Sequence, residues 1–560
     1  MKTRKTLSVV IACATLLGTL TACSGSSSSS QASSSGSSSG SSSAAEAKFA
    51  EAGLDENLRF TETRKITVEV YDRGNDGGSA PEDNFYTDFI KDGMLKDHNV
   101  EVTFVPVGRW TEVEELNNLL AAGNAPDICV TYDYPTIQTY ASMGGVIDMS
   151  SYVDDYKEAL PDLWDLLGET NIYYQKDPTE GTIWAIKALL KHNLRINTFV
   201  REDWLTKLNI AEPTSLEEFE SMLKSFKDNA STLLGADADK LVPFSISYDV
   251  GWRADHLLTS YTPDALSAKD AYINNFDDRH LLFPGYKEGV RQLNTWYNEG
   301  LVWKDFALYG SGDTTEDNMI KSGFVGAFMH NWDYPYRSGN DSIQANLKRL
   351  VSEDAAFIAI EPFKNDAGNY VKFLAGPVDR NVFFPNTNDE PVASMLYLNW
   401  ISKLENRSFL QIGEEGVTHE TQADGAVKTL AATGEKIMNS GNNIDYTILI
   451  NGLDLGDEDK NVKSIALGYA GIDAKYIEKA YAATQNDGRI DENVNVGAIE
   501  AEQGMGPALA EKRNTLLNQA VVAPTNQFDT VFDAGMKDYL ASGGQAIIDE
   551  RTQKWAEFKE

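Results

Sequence analysis

Cysteine is nearly absent, with three in 560 residues. Cys13 falls in an N-terminal apolar stretch that export would remove, and Cys23 stands just past its end. Cys129 is left alone, which excludes an internal disulfide framework. Within Asp127-Ile128-Cys129-Val130 it reads as a small buried apolar residue. Histidine is scarce too, six residues without ligand spacing, and no G-x-S-x-G, H-E-x-x-H or Walker A stretch occurs. Those absences remove the readable serine-hydrolase, zinc and nucleotide chemistries. Positive charge is in deficit: 49 Lys and Arg face 84 Asp and Glu, a formal charge of −35 that becomes −38 once the three cations of residues 1–22 are taken away. Such a surface repels phosphate backbones and anionic headgroups, which disfavours nucleic-acid and peripheral-membrane binding and favours a neutral or cationic ligand. The apolar run from Leu7 to Leu20 is too short to span a bilayer comfortably.

What the N-terminus does contain is Lys2, Arg4 and Lys5, that apolar run, and Leu20-Thr21-Ala22-Cys23. The pattern is an export signal, 1–22, rather than a membrane helix. Small residues before a cysteine resemble the bacterial lipobox, which implies that Cys23 is lipidated and becomes the new N-terminus, with two or more acyl chains making a stable anchor. Residues 24–43 are Ser and Gly apart from Gln31 and Ala32, a composition that cannot bury apolar surface. The stretch 23–60 therefore reads as a tether, with a random-coil reach of roughly 25 Å over its Ser/Gly part. The expected location is the outer face of the cell membrane, held by lipid.

Some 500 residues remain, roughly enough for two or three lobes with substantial cores. Ile66, Val68 and Val70 alternate as in a half-buried strand, broken at Asp72-Arg73-Gly74-Asn75. Val100, Val102 and Phe104 form a second strand reaching Pro106. Val113, Leu116, Leu119 and Leu120 follow at helical spacing, stopped by Gly123, and Asp127 to Thr131 is a third strand. This order is the grammar of a parallel α/β sheet, whose ligands sit at the carboxyl ends of the strands. Asp72, Arg73, Tyr132, Asp133 and Tyr134 fall along that rim.

The stretch Leu116 to Ile128, with Ala121-Ala122-Gly123-Asn124-Ala125-Pro126-Asp127 at its centre, resembles the helix-turn-strand signature of the extracellular solute-binding proteins of ABC importers, in particular large Gram-positive lipoproteins. Further matches follow in order. Arg201-Glu202-Asp203-Trp204-Leu205 runs into Pro213-Thr214-Ser215-Leu216-Glu217-Glu218-Phe219, where Ser215 and Glu218 form a capping box and Leu216, Phe219, Leu223 and Phe226 share one face. Then come Trp296 to Val302, Ser322 to Ala327, Gly413 to Val417 and Gly543 to Glu550. The resemblance implies a two-lobed, periplasmic-binding-protein-like α/β fold of the second type with hinge-connected lobes. The first lobe would take 62–188 and 375–440, the second 192–363 and 441–560. It further implies no enzymatic activity and no cofactor, an oligosaccharide cargo, delivery to permease subunits driven by a cytoplasmic ATPase, and a monomer. Many members carry a calcium loop, but Asp228 to Lys240 lacks the D-x-[DN]-x-[DN]-G spacing. Asp457, Asp459 and Asn461 begin correctly, yet Val462 replaces the glycine and Gly468 the bidentate glutamate. No structural metal is expected.

Sugars stack their C–H faces on aromatic rings and donate hydroxyls to Asp and Asn. Trp332, with Asn331 and Asp333 after the strand Phe324 to Met329, is the leading candidate, and the resemblance implies a ligand-stacking aromatic there. Trp252 sits similarly after a strand ending near Ser247. Trp184, in Gly181 to Ile186, resembles the family's hinge strand and faces either cleft or core. Trp204, Trp296 and Trp400 lie in helical patterns and read as core. Two alternatives stay open: a surface glycoside hydrolase, which needs only two suitably spaced carboxylates, and a sensory binding protein without import.

Overall fold

Strand β1 (Arg64–Asp72) lies parallel to β2 (Val100–Gly108), with Arg64 opposite Val100 and Asp72 opposite Gly108. The computed structural model describes residues 48–74, 78–156, 160–176, 181–191, 195–277, 279–310, 312–374, 378–485, 488–490 and 499–559. Cys23, the signal and the Ser/Gly tether lie outside the described residues. The helix Phe85–His98 links the two strands. Its start is fixed by a reciprocal capping box between Asn84 and Thr87, and its end by Asn99 in the left-handed conformation. The helix Glu112–Ala122 follows and stops at Gly123, where φ is +67°.

A single parallel bridge, Val68 to Ile128, ties β1 to the start of β3 (Cys129–Thr131). Beyond it the expected parallel order changes. β3 pairs antiparallel with β10 (Val378–Phe383), which pairs antiparallel with β4 (Ile186–Leu190), and β13 (Ile450–Asn451) runs parallel to β4. The first sheet is mixed because a strand from far along the chain enters between two early ones. Helices cover it on both faces, so β1 is buried over Val68–Tyr71 rather than at alternate residues.

The second sheet has the order β6 (Val242–Ser245), β7 (Val325–Asn331), β5 (Ile196–Arg201), β8 (Phe357–Ile360). β6 and β7 are parallel, and β5 is antiparallel to both its neighbours. Gly326 on β7 is required by packing, since a Cβ there would stand 2.6 Å from Phe226 and 2.9 Å from Trp204. Those two rings meet edge-on at 5.2 Å. Trp204, Trp296 and Trp400 are 2%, 0% and 5% exposed, as their helical patterns indicate. Cys129 is buried, as expected. Two short pairings complete the described strands: β9 (Phe373–Leu374) with β14 (Arg489–Ile490), and β11 (His419–Thr421) with β12 (Val427–Thr429).

Each sheet has its own core, and the chain moves between them three times: from β4 to β5, from β8 back to β10, and after β13. Tyr446, Ile448, Leu449 and Ile450 belong to the first core, although 441–560 is expected with the second. Buried Arg380 on β10 is the reason. Its guanidinium donates to the carbonyls of Ile444, Ile448 and Ile450 at 2.6, 3.0 and 3.0 Å and binds that loop to the first sheet. No helix among the described residues is long and apolar enough to cross a membrane.

Candidate functional site

β6 ends opposite Phe328, three residues before its parallel neighbour β7 does, and a cavity of about 170 Å³ opens at the carboxyl ends of the two strands. Tyr248 reaches it from the loop after β6 and His330 from the end of β7. The 303–317 segment supplies the far wall. There Trp303 and Tyr309 stack 5.3 Å apart with planes 10° from parallel. His330 and Tyr334 form a second stack, 3.4 Å and 9°. Burial, then Arg253 and Arg337, hold the His330 imidazole well below its ordinary pKa, so it is neutral.

Arg253 anchors the floor. Its Nη1 and Nη2 donate to the two carboxylate oxygens of Glu316 at 2.5 and 2.7 Å, and its Nε to the Met329 carbonyl at 2.5 Å. The Ser245 hydroxyl donates to the same carboxylate at 2.6 Å. Asp317 accepts the Tyr334 hydroxyl at 2.6 Å, and Asp313 the Thr315 N–H at 2.7 Å. Flat rings and carboxylates with spare lone pairs suit a ligand that has apolar faces and hydroxyl donors.

Of the expected second-lobe residues, none lines this cavity; their neighbours do. Trp252 is half-buried beneath two guanidinium groups, Arg279 at 4.8 Å and Arg195 at 5.4 Å from its ring. Asn331 ends β7 on the face opposite His330. Trp332, the expected ligand-stacking ring, is only 7% exposed and lies edge-on to Tyr469 and Tyr481 within the second core. The turn after β7 draws it inward: its N–H donates to the Arg195 carbonyl at 3.0 Å and its carbonyl accepts the Asn197 amide at 3.1 Å. Asp333 is buried beside it and accepts from Arg337 and the Tyr469 hydroxyl at 2.5 and 2.6 Å.

At the carboxyl ends of β1, β2 and β3 the guanidinium of Arg109 lies 4.3 Å from the Tyr132 ring and 5.2 Å from both Tyr71 and Trp110. Trp110 is 76% exposed, a bare indole on a rim. Neither Arg109 nor Trp110 is among the expected residues, because β2 runs on past Pro106 to Gly108; the rule that picks residues following a strand would have found them. Tyr132 belongs to this cluster. Asp72 is exposed and accepts the Gly74 N–H at 2.8 Å. Arg73 donates twice to buried Asp445, at 2.6 and 2.9 Å, and so holds a loop. Asp133 caps the helix Tyr134–Ser142 by accepting from Thr136. Tyr134 carries the Lys187 ammonium 4.0 Å from its ring, and burial brings that ammonium down to about 8. Trp184 leans on a small core with Cys129 and Phe383.

The acidic loops have other employment. Asp237 pairs with Lys240 at 2.8 Å. Asp457 caps the helix Glu458–Leu467 through the Lys460 N–H, and Asn461 accepts the Leu455 N–H, both at 2.8 Å.

Over residues 90–407, more than half of the 560, the sequence matches the family described as bacterial extracellular solute-binding protein. The polygalacturonan/rhamnogalacturonan-binding protein YtcQ of Bacillus subtilis (strain 168) is 21% identical over 355 residues, 59% of this chain and 63% of YtcQ. Lipoprotein LipO of the same organism is 24% identical over 217 residues, 38% of this chain and 40% of LipO. The chain thus spans less than two thirds of the length of these curated relatives. The crystal structure of alginate-binding protein AlgQ2 without calcium ion superposes with a TM-score of 0.61 at 16% identity, covering 90% of this chain and 100% of that one. That likeness gives the fold: two-lobed, periplasmic-binding-protein-like and mixed α/β.

Proposed function

We propose, because the chain belongs to the family of bacterial extracellular solute-binding proteins, that it captures an oligosaccharide between its two lobes outside the membrane and delivers it to the permease of an ABC importer. The observation that carries this reading is the cavity beyond β6 and β7, where the Trp303–Tyr309 and His330–Tyr334 stacks stand beside Asp313 and Asp317. Sugar rings lie flat on such stacks, and sugar hydroxyls donate to such carboxylates. The rim of Arg109, Trp110 and Tyr132 is the corresponding aromatic surface at the strand ends of the first lobe. Three chain passages between the sheets permit hinge closure without separating the lobes. The first lobe takes 62–188 and 375 to about 450, and the second 192–363 and about 451 to 560, as the Arg380 contacts support. The protein acts as a monomer, without catalysis, held to the membrane by lipid on Cys23.

A melting screen against an oligosaccharide panel tests the reading, since a ligand bound only by the folded state raises the melting temperature. At least one oligosaccharide should do so and be recovered uncleaved. A panel without effect, or a bound sugar returned as fragments, would remove it.

A further inference from the structure

The cavity beyond β6 and β7 has an unusual charge balance for a place that receives a solute. Among the described lining residues one guanidinium, Arg253, stands with three carboxylates, Asp313, Glu316 and Asp317, and the imidazole of His330 is neutral. Three of the five N–H groups of Arg253 are engaged: Glu316 takes one on each terminal nitrogen and the Met329 carbonyl takes Nε. The pair is nearly closed to water as well, with side chains 6% and 11% exposed. A ligand carboxylate that took the same fork would have to displace Glu316, which would then be left buried and unpaired, and without displacing it would meet a cation whose charge Glu316 already neutralises. Elsewhere in the cavity it would meet Asp313 and Asp317, whose remaining lone pairs can accept hydrogen bonds but offer an anion nothing.

YtcQ and AlgQ2 are named for polygalacturonan, rhamnogalacturonan and alginate, all saccharides that carry uronate carboxylates. We propose that this chain has the opposite selectivity: its solute is an uncharged saccharide, and the Asp313–Glu316–Asp317 wall rejects uronates. The inference rests on the saccharide reading above and adds the substrate class. The overall charge of −35 acts in the same direction at long range. An uncharged sugar loses nothing on this wall. Its hydroxyls donate to Asp313 and Asp317, which are held in place by Thr315 and Tyr334, and its ring packs against the stacks.

Calorimetry on the mature chain with size-matched probes decides it: a set of uncharged trisaccharides, trigalacturonate, and a trimer of glucosamine. At least one uncharged trisaccharide should bind, with Kd changing less than about twofold between ~50 and ~500 mM NaCl. Trigalacturonate should bind at least about 100-fold more weakly, because like charges brought together cost several kcal/mol. In the isosteric double variant Asp313→Asn/Asp317→Asn that gap should narrow at least about tenfold, since both substituted charges face the ligand. Three results would overturn the inference: trigalacturonate binding as tightly as the best uncharged sugar, the glucosamine trimer binding about tenfold tighter with steep salt dependence, or an unchanged gap in the double variant. If no saccharide of any charge binds, the saccharide reading itself falls, and the two failures are distinguishable.

Discussion

The indole of Trp332 meets the phenol of Tyr469 edge-on, with ring centroids 6.0 Å apart and planes at 86°. Tyr481 makes a second edge contact at 6.4 Å, and Trp332 is 7% exposed. Truncation therefore opens a cavity between packed rings. Trp332→Ala should lower the unfolding free energy by about 3–5 kcal/mol, the usual cost for a buried Trp. Trp110→Ala, which removes an indole 76% exposed, should stay within about 0.5 kcal/mol of the parent. Denaturant melts of both variants check this, and equal stability of the two would contradict the burial of Trp332.

The distance between sequence reading and structure is often a single residue. Alternation made β1 legible, and a serine N-cap with helical spacing made the helix Leu216–Asp228 legible, because both signals are local; the expected capping box is half formed, since Ser215 accepts the Glu218 N–H while Glu218 reaches back to Thr214. The second-lobe site is nearly so: Trp252, Asn331 and Asp333 stand next to Arg253, His330 and Tyr334, which line the cavity. Consecutive strand residues point to opposite faces, so a one-residue ambiguity about where β7 ends exchanges the residue inside for the one outside. Asp313, Glu316 and Asp317 are invisible for a different reason, since in a chain with 84 acidic residues nothing local marks three of them. Arg380 reaches 64 to 70 residues along the chain, and no periodicity encodes such a contact.

Arg253 and Glu316 are each other's counter-charge in a nearly dry place. Arg253→Met should leave a buried carboxylate and cost about 3–5 kcal/mol, whereas adding Glu316→Gln to it should restore most of the loss. Melts of the single and double variants measure the coupling. Additive losses would mean that the two side chains do not act as a pair.

Calcium should be irrelevant to stability. Asp237 is engaged by Lys240, while Asp457 and Asn461 are spent on backbone N–H groups. Chelator treatment is expected to leave the melting temperature unchanged within error, and a fall of several degrees would reveal a site among these loops.

Cys23 is the expected attachment point. Cys23→Ala should release most of the protein into the medium while solution binding of the mature chain stays intact. Retention of the variant in the membrane fraction would assign anchoring to another segment. The lipid on a successfully processed chain can be read by mass spectrometry of its first peptide.

Glu69 gives the fold a built-in pH dependence. It is 1% exposed on β1, where its Oε2 accepts the Val130 N–H at 2.9 Å and fastens β3 beyond the Val68–Ile128 bridge. Burial is the main cause that pushes its carboxyl up from 4.5 to about 8; the Val130 N–H opposes the shift, and repulsion from Glu112 and Glu115 adds to it. The folded chain therefore holds a proton that the unfolded chain releases near 4.5. Its contribution to stability is fully present below 4.5 and is lost as pH rises through about 8. His256 acts in the other direction at lower pH, because burial, then Lys372, bring its imidazole down to about 3. Comparison of the parent with Glu69→Gln cancels that background. The difference in unfolding free energy should move in favour of Glu69→Gln by up to about 1.4 kcal/mol per pH unit between those limits. Urea melts at several pH values across the window would show it, and parallel profiles would mean that Glu69 is ionised in the folded chain.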